Sequence, residues 1–189
     1  MKFILRAVKE RMDNVKLVSL SVPNIIISLD ENEDRTTPAY DNFLKALDMA
    51  GEDSCVHLED DIILTDNFYS KIQAAIMKRP NDVIQFFSMR EADLQKGSRY
   101  EAGATFMMAQ CFYLPKGLSG ELYNYGVEYK RSGEHNMKGC PLDNMVADFL
   151  KSRGMKYFIH IPNLVDHIEG KSIIDPRRSS KRISKTFKK

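Results

Sequence analysis

Apolar positions fall into two kinds of stretch. Some are compact runs of four to six residues, and others recur every three or four positions. Residues 3–8 form a compact run and predict a first strand. Between Lys9 and Leu20, Met12, Val15, Leu17 and Val18 follow a helical period. Residues 24–29 are β-branched and compact, predicting a buried strand. The polar loop 30–35 follows, then a helix capped by Thr36 or Thr37 with Pro38 in its first turn and Tyr40, Phe43, Leu44 and Leu47 on one face. Residues 55–58 predict the next strand. Asp66 caps a helix from 67 to about 78, whose inner face is Phe68, Ile72, Ala75 and Ile76. Residues 83–87 are again strand-like. The order βαβαβαβ predicts an α/β fold with a mostly parallel sheet flanked by helices.

The second half is less regular. Residues 89–103 are polar and aperiodic, which reads as a functional loop. Residues 104–114 are apolar and predict an antiparallel addition to the sheet. A helix over 115–129 is weakened by Gly117, Gly120 and Gly126. A loop over 131–139 precedes a helix over 141–153, with Leu142, Met145, Val146, Phe149 and Leu150 inward and Gly154 at its C′ position. Residues 156–161 predict a last core strand.

The chain has 189 residues, 43% hydrophobic and 29% charged, which fits one globular domain. No apolar run approaches the ~20 residues of a membrane helix. The N-terminal apolar stretch is too short for a signal peptide, so a cytoplasmic location is expected. Cys55, Cys111 and Cys140 form no CxxC pair, which argues against zinc and a disulfide framework and for buried thiols. Charge changes the picture more. Seven of the 28 basic residues, among them Arg177, Arg178, Lys181, Arg182 and Lys185, follow Asp175 with no acid between them. The remaining 21 face 26 acidic residues, so a body near −5 (residues 1–175) carries a +7 tail (176–189). Such a tail reads as an arm for a polyanion, either nucleic acid or an anionic membrane surface, or as a solvated terminus.

Glu59, Asp60 and Asp61 stand out against this background. Three adjacent carboxylates beside a buried-type strand repel one another unless they are solvated or neutralised. A divalent cation with oxygen ligands is the simplest neutraliser. Their place at the C-terminal end of a central strand is where open α/β sheets bind ligands. A cation there would bind a substrate diphosphate and assist its departure.

The Leu58-Glu59-Asp60-Asp61 stretch resembles the DxD-type motif of GT-A glycosyltransferases. Residues 162–172, with Pro162, Val165, His167, Gly170 and Ser172, are similar to a pattern near the end of several small enzymes of that group. Residues 110–115 resemble the strand bordering the acceptor site, and Pro141-Leu142-Asp143 the step presenting the catalytic acid. The resemblance covers residues 25–172. It implies a GT-A-like (Rossmann-like) fold and a metal-dependent transfer from a nucleotide-sugar donor, with a UDP-sugar and Mn2+ or Mg2+ expected. By position it implies Asp61 and His167 as metal ligands, Glu59 or Asp60 facing the ribose or hydrating the ion, and Asp143 as general base. Asp30 would contact the nucleotide base, and Arg6 the diphosphate or base. An ordinary salt bridge for Arg6 and a helix-dipole role for Asp143 are the plain alternatives. The chain departs from the pattern at Glu169, where a glycine is expected directly after His-Ile, and it is short for a full GT-A domain.

Compact GT-A enzymes with a basic tail resemble bacteriophage enzymes that glycosylate hydroxymethylated pyrimidines in DNA. DNA is therefore the expected acceptor, held through tail Lys and Arg contacts to phosphate, with Ser184 and Thr186 able to add hydrogen bonds. Two other readings stand beside this: transfer to a lipopolysaccharide or capsule glycan, and a non-catalytic nucleic-acid-binding protein with a structural cation.

Overall fold

The computed structural model describes residues 1–31, 38–132, 141–169 and 182–189. Seven strands form the central sheet: β1 (Lys2–Val8), β2 (Ile26–Asp30), β3 (Cys55–Glu59), β5 (Val83–Gln85), β6 (Arg99–Ala102), β7 (Cys111–Leu114) and β8 (Lys156–Ile159). Two three-residue strands, β4 (Ile62–Leu64) and β9 (Val165–His167), form a separate antiparallel ribbon. The helices are α1 (Met12–Ser21), α2 (Pro38–Ala50), α3 (Phe68–Lys78), α4 (Asp93–Lys96), α5 (Leu118–Ser132) and α6 (Pro141–Ser152).

The sheet order is β2-β1-β3-β7-β5-β8-β6. β1 pairs in parallel with β2 and β3, and β5 with β8; β7 and β6 run against the rest. This is the Rossmann-like, mostly parallel α/β architecture expected, with its antiparallel additions in the C-terminal half. β7 inserts between β3 and β5 rather than adding at an edge. All four of its residues are buried, as befits a strand covered on both faces. One core forms around Leu5, Val56, Leu58, Ile72 and Phe86, and a second around Phe43, Phe112, Val146 and Phe149.

Several local expectations change. Residues 89–103 are not a plain loop but hold α4 and the edge strand β6. β6 reads Arg-Tyr-Glu-Ala, an alternation only four residues long whose apolar members, Tyr100 and Ala102, are the exposed ones. Asp66 does not cap α3: the N-cap is Asn67, in the left-handed region at φ 54° and without a side-chain cap bond. α5 forms despite its glycines. A Cβ at Gly126 would come within 2.6 Å of the Leu44 side chain, and the Tyr40 hydroxyl donates to the Gly126 carbonyl at 2.8 Å. That glycine lets α5 approach α2 closely. Gly154 follows α6 with φ 62°, as its C′ position predicts. Cys55 and Cys111 are buried free thiols, and burial raises the pKa of both; Cys140 lies outside the described residues.

The tail is the largest departure. Residues 182–189 lie on the body rather than projecting from it. The Ser184 amide donates to Asp166 at 2.7 Å, and its hydroxyl accepts from Asn163 Nδ2 at 2.7 Å. Thr186 Oγ1 accepts from the Asn163 amide, and Thr65 donates to the Lys188 carbonyl at 2.7 Å. Ser184 and Thr186 are thus engaged within the protein. No helix among the described residues is long and apolar enough to cross a membrane.

Candidate functional site

Parallel pairing brings the C-terminal ends of β1, β2 and β3 together, with Val8 opposite Asp30 and Arg6 opposite Glu59. The chain then turns through Asp60 and Asp61 into β4. Pairing of Ile62 with His167 carries β9 alongside that turn, and the Ile168 amide donates to the Asp61 carbonyl at 2.9 Å. His167 Nε2 thereby reaches 3.1 Å from Asp61 Oδ2, across more than a hundred residues of sequence.

The tautomer of His167 follows from its other nitrogen. Nδ1 lies 2.6 Å from the Ile168 carbonyl oxygen, which can only accept, so Nδ1 carries the proton. In the neutral ring Nε2 then presents a lone pair to the Asp61 carboxylate, and two acceptors face each other. Neither His167 Nε2 nor Asp61 Oδ1 has an aligned hydrogen-bond partner among the described residues, and both are buried. Facing acceptors of this kind call for a proton or a cation between them. A histidine held by a backbone carbonyl through its far nitrogen is the usual form of a metal ligand. Asp61 and His167 therefore fit a divalent cation in donor chemistry, though no group of three His, Cys, Asp or Glu side chains that could hold one converges among the described residues.

The carboxylates are also paired with cations that the sequence reading missed. Arg11, in the turn after β1, lies 2.8 Å from Asp60 Oδ1 and 3.0 Å from Asp61 Oδ2. Burial raises the Asp61 carboxyl, but His167 with a proton on Nε2, Arg11 and Arg182 together outweigh it and hold it below its ordinary range. Burial pushes Glu59 up to about 7 against the opposing pull of Arg6, with Asp61, Asp143 and Asp60 adding to the rise. The signal for Arg11 was its place just after a parallel strand, at the ligand-binding edge.

Two expected nucleotide contacts sit elsewhere. Asp60 is 4% exposed; its Oδ2 accepts from the Val8 amide at 2.7 Å and its Oδ1 binds Arg11. It clamps the end of β1. Arg6 is not at a strand end but within β1. It is buried over the Phe43 ring, donates to the Ala109 carbonyl at 2.7 Å and pairs with Glu59 at 3.2 Å. The salt-bridge alternative describes it, not a diphosphate contact. Glu59 keeps a partly exposed side chain, and Asp30 ends β2 as expected.

Asp143 opens α6, and its two oxygens accept from the Met108 and Ala109 amides at 3.1 Å each. Met108 has φ 69°, so the carboxylate fixes an unusual backbone just before β7. His57 is fully buried, stacked on Phe112 and edge-on to Phe43, and burial lowers its pKa to about 3. It packs in the sheet. In the tail, Lys185 pairs with Glu91 at 3.1 Å; Arg177, Arg178 and Lys181 lie outside the described residues.

No family model matches the chain, and no curated protein matches it. Among solved structures the chain is similar to the crystal structure of A197 from STIV, at 12% identity, covering 99% of this chain and 96% of that one with a TM-score of 0.47.

Proposed function

We propose that the protein is a metal-dependent glycosyltransferase that takes a sugar from a nucleotide-diphosphate donor, a UDP-sugar first among them, and delivers it to an acceptor hydroxyl. The observation that carries this reading is the facing pair of Asp61 and His167, assembled by the β4–β9 ribbon at the C-terminal edge of the sheet. A divalent cation on that pair supplies neutralising charge for a diphosphate leaving group.

The chain's own residues supply the rest. Arg11 holds Asp60 and Asp61 together and lies beside the expected diphosphate, where its guanidinium suits phosphate oxygens. Glu59 and Asp30 flank the nucleotide side. Asp143, whose carboxylate is oriented by two backbone amides, is the proposed general base for the acceptor hydroxyl, which implies inversion. A hydroxymethylated pyrimidine in DNA is the proposed acceptor. The tail cations Arg177, Arg178, Lys181, Arg182 and Lys185 are the proposed contacts to its phosphates.

The test is release of UDP from UDP-sugars with Mn2+ in the presence of hydroxymethylated DNA, plain DNA or a bacterial glycan. Acceptor-stimulated release with modified DNA alone is expected. Stimulation by the glycan alone would move the acceptor to the cell envelope. DNA binding without release under any condition would leave only the non-catalytic reading.

A further inference from the structure

A cleft of about 510 Å3 runs along α3, bounded by Thr65, the stretch from His160 to Leu164 and the docked tail. Among the described residues that line it, Lys71, Lys78, Arg79 and Lys188 are the cations and none is acidic. Its floor is apolar, formed by Ala75, Ile84, Phe158 and Leu164. A one-signed rim over an apolar floor, in a chain whose 28 basic and 26 acidic residues nearly balance, calls for a ligand with an anionic end and an apolar body.

The rim also carries a stack. The Arg79 guanidinium lies 3.9 Å over the Phe158 ring and 5.2 Å from the Tyr100 ring. It is held there by the Tyr100 hydroxyl at 2.7 Å and, more loosely, by Asp82 at 3.7 Å. Tyr100 is 47% exposed beside the cleft, and its hydroxyl donates to Asp82 at 2.6 Å. Lys71 donates to Thr65 Oγ1 at 3.0 Å, and the same hydroxyl fastens the tail at Lys188. The tail therefore closes one wall of the cleft.

We propose that this cleft holds a nucleotide unit, its phosphate among Lys71, Lys78 and Lys188 and its base against the Arg79–Tyr100 stack. Positive grooves with aromatic and arginine platforms are how single strands are gripped without sequence preference. Position adds to this. The ribbon that brings His167 to Asp61 at one end carries Leu64 and Val165 at the other, where Thr65 and Leu164 border the cleft. Two residue steps along a strand separate those ends, roughly 7 Å. A strand held in the cleft is thus held beside the carboxylate site. The inference deepens the DNA-acceptor reading and rests on it, but binding tests it without donor or metal.

Fluorescence anisotropy of a labelled oligothymidylate with the full chain reads it. The Lys71→Gln/Lys78→Gln pair is expected to weaken binding at least about tenfold at low salt. The solvent-exposed change Tyr100→Leu is expected to weaken it about fivefold or more, as loss of one stacked base does. Thymidine monophosphate competing as well as the oligonucleotide assigns the cleft to free nucleotide; much weaker competition assigns it to a strand. Both support a nucleotide site. Unchanged affinity in the double lysine variant overturns the proposal, as does inorganic triphosphate competing as well as the nucleotide, since charge alone then explains the binding. UDP release from UDP-sugars with Mn2+ and hydroxymethylated DNA is read in parallel. Lysine-dependent binding with no turnover sinks the transferase and keeps the cleft, and turnover with lysine-independent binding does the reverse.

Discussion

Asp61→Asn should lower sugar transfer by more than about 100-fold, beyond what loss of an outer-shell metal contact costs. The substitution keeps the side-chain volume and leaves Arg11 its bond to Asp60, so the fold should survive and circular dichroism should be unchanged. What it removes is the charge facing His167 Nε2. A carboxamide can donate to that lone pair, satisfying the histidine and closing the place where a cation would sit. Raised Mn2+ concentration should recover part of the activity if the loss is one of metal affinity. Turnover within a few-fold of the native protein would refute the assignment. The acids would then be a charge cluster balanced by Arg11 and Arg6, a role the geometry already gives to Asp60.

Asp143→Asn is expected to lower transfer by about 100- to 10,000-fold while leaving donor affinity unchanged, the range for removal of a general base. The competing role is visible in the structure. Both oxygens hold the Met108 and Ala109 amides, and an Asn there would point its amino group at one of them. If anchoring is the whole role, loosening that backbone should affect transfer less than tenfold and lower thermal stability instead. Activity against pH, thermal midpoint and donor KM read together separate the two outcomes.

The fold was legible where strands are compact apolar runs, although β2, read as buried, is an edge strand that leaves Ile27 38% exposed. β1, β2, β3 and β7 announce themselves by runs such as Ile-Ile-Ser-Leu and Cys-Phe-Tyr-Leu, and α2, α3 and α6 by a clear apolar face. β4 and β9 were not, because three residues cannot display a period. Yet that ribbon unites the site, so Asp61 and His167 could be paired beforehand only through resemblance. Arg11 was hidden for a related reason. It lies nearly fifty residues before the carboxylates it neutralises, and only parallel pairing of β1 with β3 brings it there. In the bend after β3, Asp60 and Asp61 both reach Arg11, but Asp60 turns its other oxygen onto the Val8 amide while Asp61 faces His167. In the tail, charge was legible but docking was not: Ser184 and Thr186 look like phosphate donors until Asn163 and Asp166 are seen to engage them.

The central claim is that Asp61 and His167 hold a divalent cation beneath a nucleotide diphosphate. Anomalous scattering from crystals grown with Mn2+ and UDP tests it most directly. The account predicts a manganese peak coordinated by the Asp61 carboxylate and His167 Nε2, in contact with the UDP phosphates. Ordered UDP with manganese elsewhere, or with His167 still closed on Asp61 and no metal between them, would contradict it.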